Sequence, residues 1–121
     1  MNIETLREYC LSKPGAEETT PFGPDTLVYK VSGKMFLLTG LDSEELSFNV
    51  KCEPDKALEL REEFPCVIPG YHMNKKHWNT IIADGSASKH LLQEWIDDSY
   101  ALVVASLPKA QRQLLNEEIE D

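Results

Sequence analysis

Residues 69–81, PGYHMNKKHWNTI, bring Tyr71, His72, Asn74, Lys75, Lys76, His77 and Trp78 together within eight positions and include no carboxylate. Lysine ammonium groups suit phosphate oxygens as point charges. An asparagine amide offers a donor and an acceptor to one base edge. Lys75 and Lys76 are adjacent, so an extended strand points them to opposite faces, and both can meet one backbone only in a turn. His72 and His77 are five apart, no standard ligand spacing on a helix or strand, and no cysteine accompanies them, so neither zinc nor any other cofactor is expected. Trp78 begins an apolar alternation with Thr80 and Ile82 and is expected in the core. Tyr71 stays open between a binding surface and a hydroxyl that satisfies a buried backbone group.

This stretch belongs to a wider charge pattern. Segments 26–41, 46–52 and 64–83 carry Lys30, Lys34, Lys51, Lys75 and Lys76 and no Asp or Glu. The remaining seven basic and 21 acidic residues lie elsewhere, in a chain of formal net charge −9. Strands disfavour Asp and Glu, but they disfavour Lys as well, so strand propensity explains only part of the split. Ordinary solvation of the wet side of a sheet is the alternative to a basic binding face.

The elements that must position these groups are legible in the hydrophobic periods. Asn2 caps a helix with Ile3, Leu6 and Cys10 on one face, and Lys13-Pro14-Gly15 stops it. Residues up to Pro24 read as an irregular connection. Leu27, Tyr29 and Val31 then alternate with Val28 and Lys30; Ser32-Gly33 turns the chain, and Met35 to Thr39 returns. Leu46, Phe48 and Val50 form the inner face of a third strand, with Ser47, Asn49 and Lys51 outside. Lys30 and Lys51 therefore share the outer face. Pro54 opens a helix with Ala57, Leu60 and Phe64. Residues 69–81 close as a loop or hairpin with Trp78 to Ile82 as its second strand. A long helix follows with Leu91, Leu92, Trp95, Ile96, Ser99 and Val103 on one face. Beyond Pro108 comes a short one with Leu114, Leu115 and Ile119. The order α-β-β-β-α-β-α-α describes an α+β fold, an antiparallel sheet packed against helices.

At 121 residues the chain is expected to form one domain, 1–121, able to bury a core without staples. Cys10, Cys52 and Cys66 are an odd number without CxxC spacing, which favours reduced thiols in the cytoplasm. The first ten residues lack signal-peptide character, and no apolar run is long enough for a membrane span. No phosphate loop, GxSxG or HExxH is present, so no catalytic residue and no enzymatic activity are expected. Scattered acids such as Glu4, Glu8, Glu17, Glu18 and Asp25 could weakly gather hard cations.

The YHMNKKHW core, with KVSGKMFLL before it and SYALVVASLPK after it, resembles the MmcQ/YjbR family over nearly the whole chain. The resemblance implies a CyaY/frataxin-like fold and DNA binding through a double wing of hairpins. Carried onto this sequence, the wings are the hairpin through Ser32-Gly33-Lys34 and the segment Tyr71 to Trp78. The expectation is a monomeric, non-enzymatic protein that contacts DNA phosphates through these two hairpins. The alternatives are a protein-interaction adaptor using the outer sheet face and a frataxin-like acidic metal binder.

Overall fold

The computed structural model describes residues 1–71 and 73–120, with side chains described up to residue 116; His72 and the Ile119 side chain lie outside this description. Ten elements follow in the order α1 (Ile3–Leu11), β1 (Ala16–Thr19), β2 (Thr26–Val31), β3 (Lys34–Gly40), β4 (Ser47–Lys51), α2 (Pro54–Glu63), β5 (Val67–Pro69), β6 (Trp78–Ile82), α3 (Lys89–Ala105) and α4 (Lys109–Glu120). The strands form one sheet in the order β1-β2-β3-β4-β6-β5, and every pairing is antiparallel.

The expected α+β architecture is present, with two strands added at the sheet's edges. Residues 16–19, expected to be irregular, form β1, and Val67–Pro69 form β5. Both are short. Four residues including Glu17 and Glu18 give β1 little hydrophobic period, and β5 has three residues ending in proline. Proline suits an edge strand because it cannot donate to a ladder. Tertiary pairing makes these strands, against weak local propensity.

Helix starts follow the sequence closely. The Asn2 side chain accepts from the Thr5 N–H while the Thr5 hydroxyl accepts from the Asn2 N–H, a reciprocal cap. Pro54 sits in the first turn of α2, and the Ser88 hydroxyl accepts from the Leu91 N–H at the start of α3.

One face of the sheet carries the core. Leu27, Tyr29, Leu37, Phe48, Val50 and Ile81 pack there with Leu92, Trp95, Ile96 and Val103 of α3 and with Leu6 and Cys10 of α1. This reproduces the expected faces of β2, β4 and α3. Ser99, deep on the α3 face, has a specific task. The β2–β3 register skips Phe36, so Phe36 and Leu37 both bury themselves at a bulge. The ladder opens beside it, and the Ser99 hydroxyl donates to the Phe36 carbonyl at 2.6 Å and accepts the Lys51 N–H at 2.8 Å.

The alternation of β6 is the reverse of the expected one. Trp78 pairs with Lys51, Thr80 with Asn49 and Ile82 with Ser47, all on the outer face, while Asn79 and Ile81 point into the core. Trp78 is half-buried rather than a core residue. Asn79 can face inward because its amide is satisfied: its Oδ1 accepts from Arg61 Nε at 2.7 Å and its Nδ2 donates to the Ala57 carbonyl at 3.5 Å.

Candidate functional site

The ladder registers decide where the lysines go. Val31 pairs with Lys34 at the β2–β3 hairpin, Lys51 ends β4 opposite Trp78, and Pro69 pairs with Asn79 below the β5–β6 hairpin. Both hairpin tips and the last residue of β4 therefore lie at one end of the sheet. Lys30 and Lys34 come from one hairpin, Lys75 and Lys76 from the other, and Lys51 stands on the strand between them. The two hairpin axes are three strand spacings apart, about 14 Å at about 4.8 Å per strand.

The sequence builds these tips by different means. Ser32 and Gly33 have φ of 49° and 80°, the pair of positive values that a tight, twist-matched two-residue turn needs. The second tip is longer. Asn74 accepts at its carbonyl from the N–H of His77 and of Trp78, and its side-chain Oδ1 accepts the Lys76 N–H at 3.0 Å. Lys75 and Lys76 thus lie in a turn, the geometry that lets both meet one backbone. The same bonds engage the Asn74 side-chain oxygen, which leaves its NH2 group as the part available to a base. At Gly70 an added Cβ would stand 2.9 Å from both the Cβ and the carbonyl oxygen of Trp78, so only glycine lets the two arms approach this closely.

Arg61 of α2 fixes the second hairpin from below and was not singled out by the sequence. Its guanidinium donates to the carbonyls of Lys75 and Trp78 as well as to Asn79. Five N–H groups in a planar fork let one side chain hold the turn, the strand and a core amide together. The only sequence signal for it was a basic residue in the last turn of α2, next to the core stripe.

Carboxylates take up Arg7, Lys13 and Lys56, on or beside α1 and α2, whereas Lys89 of α3 and Lys109 and Arg112 of α4 have no ion pair among the described residues. Among the described residues the ion pairs are Arg7–Glu18 at 3.1 Å, Lys56–Asp98 at 2.7 Å and Lys13–Asp97. The Glu18 carboxyl is held below the usual carboxylate range by its bond from Arg7, with the Tyr29 hydroxyl adding to the effect. Asp97 also accepts from Tyr9, and it raises the Lys13 ammonium against the opposing pull of burial. Burial pushes the Cys10 thiol up to about 12, and all three cysteines are buried and unpaired with one another. None of the five hairpin-end lysines has an ion pair among the described residues. Lys34, Lys75 and Lys76 are exposed; Lys30 and Lys51 are half-buried. Lys30 is flanked across the ladder by Glu17 and Met35, so its charge is the most offset of the five. His77 is half-buried in the second turn.

The outer face of the sheet is not the basic surface that Lys30 and Lys51 suggested. Its middle is largely apolar, and no helix among the described residues lines it. A groove of about 780 Å³ runs across it between loops from both ends, with Met35, Leu38 and Ile82 in its floor and Phe22 and Tyr71 in its walls. Asn49 and Thr80 cross the floor: the Tyr71 N–H donates to Thr80 Oγ1, which donates to Asn49 Oδ1 at 2.5 Å.

The dispersed acids do not gather. No three His, Cys, Asp or Glu side chains among the described residues are placed to share a cation, and Glu18 is engaged by Arg7 and Tyr29. No helix among them is long and apolar enough to cross a membrane.

Comparison with known proteins gives consistent results. The YjbR family model matches residues 11–102. Uncharacterized protein YbdF of Escherichia coli O157:H7 is 40% identical over 106 residues, 88% of this chain and 87% of that protein. Uncharacterized protein YjbR of Escherichia coli K12 is 33% identical over 95% of this chain and 98% of its own length. Among solved structures, Deinococcus radiodurans protein DR2400, of domain family DUF419, superposes with a TM-score of 0.90 at 38% identity, covering 95% of this chain and 88% of that one. A Pseudomonas syringae protein superposes at 0.74 with 26% identity, over 85% of this chain and 99% of its own.

Proposed function

The chain belongs to the YjbR family, and from that premise we propose that it is a non-enzymatic protein that binds DNA weakly, setting the lysines of its two hairpins on backbone phosphates. The observation that carries this reading is the convergence of Lys30, Lys34, Lys51, Lys75 and Lys76 at one end of the sheet without carboxylate partners among the described residues. A spacing of about 14 Å between hairpins is close to the width of about 12 Å of a B-DNA major groove, so two wings can reach phosphates on either side of it. The net charge of −9 sets the limit: binding is confined to this end and is weak at physiological salt. Buried, unpaired thiols are in keeping with action in the cytoplasm.

Fluorescence anisotropy of a labelled duplex at low salt tests the reading. Lys75→Ala with Lys76→Ala should lower affinity about tenfold for all sequences alike. Lys89→Ala with Lys109→Ala, on the helices, should leave it unchanged. Equal effects of the two pairs, or no binding at low salt, would remove the proposal. The second reading, an adaptor that docks a protein on the outer sheet face, is favoured by one observation, the open apolar groove itself.

A further inference from the structure

The groove and the lysines belong to one surface. Phe22 and Tyr71 are each 68% exposed, with Ile68 at 38%, and all three line this single groove. Large exposed apolar side chains gathered around one concavity mark a binding surface. Phe22 stands at the end of the sheet away from the hairpins, in the β1–β2 loop. Tyr71 and Met73 stand at the hairpin end, in the same connection as Lys75 and Lys76. Met35, in the floor, is the cross-strand neighbour of Lys30 and adjoins Lys34. The lysines therefore lie beyond one end of the groove, while Asp42, the carboxylate in its wall, lies at the far end. A largely apolar floor crossed by an amide and a hydroxyl, with an aromatic side chain at each end and cations beyond one of them, suits a ligand with flat, polar-edged rings attached to an anionic backbone.

We propose that the outer sheet face takes unstacked bases of a single-stranded nucleic acid whose phosphates lie along the hairpin end. The proposal rests on the lysine reading above and adds to it: the preferred ligand is single-stranded, because paired bases in a duplex cannot reach the floor of the groove. Lys34, Lys75 and Lys76 hold the backbone, Phe22 and Tyr71 offer ring faces, and Asn49, its amide oxygen held by Thr80, presents a polar edge in the floor. The aromatic side chains accept any base, so little sequence preference is expected.

Three oligodeoxynucleotides of equal length test this: a mixed-sequence single strand, an abasic strand and a duplex, each titrated into the full chain at low salt. Phe22 and Tyr71 are exposed, so the double variant Phe22→Ala/Tyr71→Ala should fold as the parent does. It should bind the single strand about tenfold more weakly, in line with stacking losses per base, and bind the duplex unchanged. The abasic strand should bind the parent no better than the base-bearing strand binds this variant. If the variant keeps its affinity for the single strand, or the abasic strand binds as tightly as the normal one, the base groove is refuted. Sensitivity to Lys75→Ala/Lys76→Ala would in that case leave the phosphate reading standing. If no oligomer binds at low salt, both readings fall together and the groove passes to a protein partner.

Discussion

The helices α1 and α2 and the hairpin end of the sheet use basic residues in opposite ways. On or beside α1 and α2, Arg7, Lys13 and Lys56 each meet a carboxylate, and Arg61 spends its donors on backbone and amide oxygens. These cations hold elements together. At the hairpin end five lysines stand without ion pairs among the described residues, three of them exposed, and Lys75 and Lys76 sit on a turn that Arg61 holds in place. A cation whose charge is already answered is structural. One whose charge is left to solvent, on a braced turn, is available to a ligand. In a chain of net charge −9 this separation is the main physical signal of function.

The comparison can be broken by mutation, most severely on the helix side. Arg61→Ala should destabilise the protein by about 3 kcal/mol in urea unfolding, because it strips donors from two carbonyls and from the buried Asn79 amide. Arg61→Lys should recover little of this, since an ammonium cannot reproduce the planar fork. A loss below about 0.5 kcal/mol would mean that the second hairpin is not braced from below. Ser99→Ala is next, at about 2 kcal/mol, because it leaves the Phe36 carbonyl and the Lys51 N–H without their shared partner.

The pair Arg7–Glu18 is partly exposed and should matter less. The Glu18 pKa is held down in the folded state, so its contribution is present above the ordinary glutamate value of about 4.3 and is lost as pH falls through the folded value. Glu18→Gln should cost under about 1 kcal/mol at neutral pH, and the gap in urea midpoint should close on acidification. A gap that widens toward low pH would reverse the assignment. Smallest of all, Lys75→Ala/Lys76→Ala should change stability by no more than about 0.5 kcal/mol, the opposite of its effect on binding.

Much of this was legible in the sequence, and the exceptions have specific causes. Period-two alternation placed Phe48 and Val50 inside and Asn49 and Lys51 outside, and the α3 stripe was read correctly down to Ser99. Alternation failed in β6 because Trp78, Thr80 and Ile82 look like the inner set. Asn79 takes the inner position only because Arg61, from a distant helix, satisfies its amide. Local pattern cannot carry that information. β1 and β5 were missed for a related reason, since a four-residue and a three-residue edge strand owe their existence to the neighbours they pair with. At the candidate site the lysines were named from the charge pattern, but their gathering at one end follows from the β4–β6 pairing. Phe22 and the groove were not visible at all, because loops far apart in sequence form its walls. His72 lies outside the described residues.

The salt dependence of duplex binding tests the division between structural and available cations most directly. With three or four of the hairpin-end lysines on phosphates, the plot of log affinity against log salt should fall with a slope near about −3, at about −0.9 per neutralised phosphate. Lys75→Ala/Lys76→Ala should make that slope shallower by about one to two. A flat salt dependence, or a slope that the two substitutions leave untouched, would contradict the account.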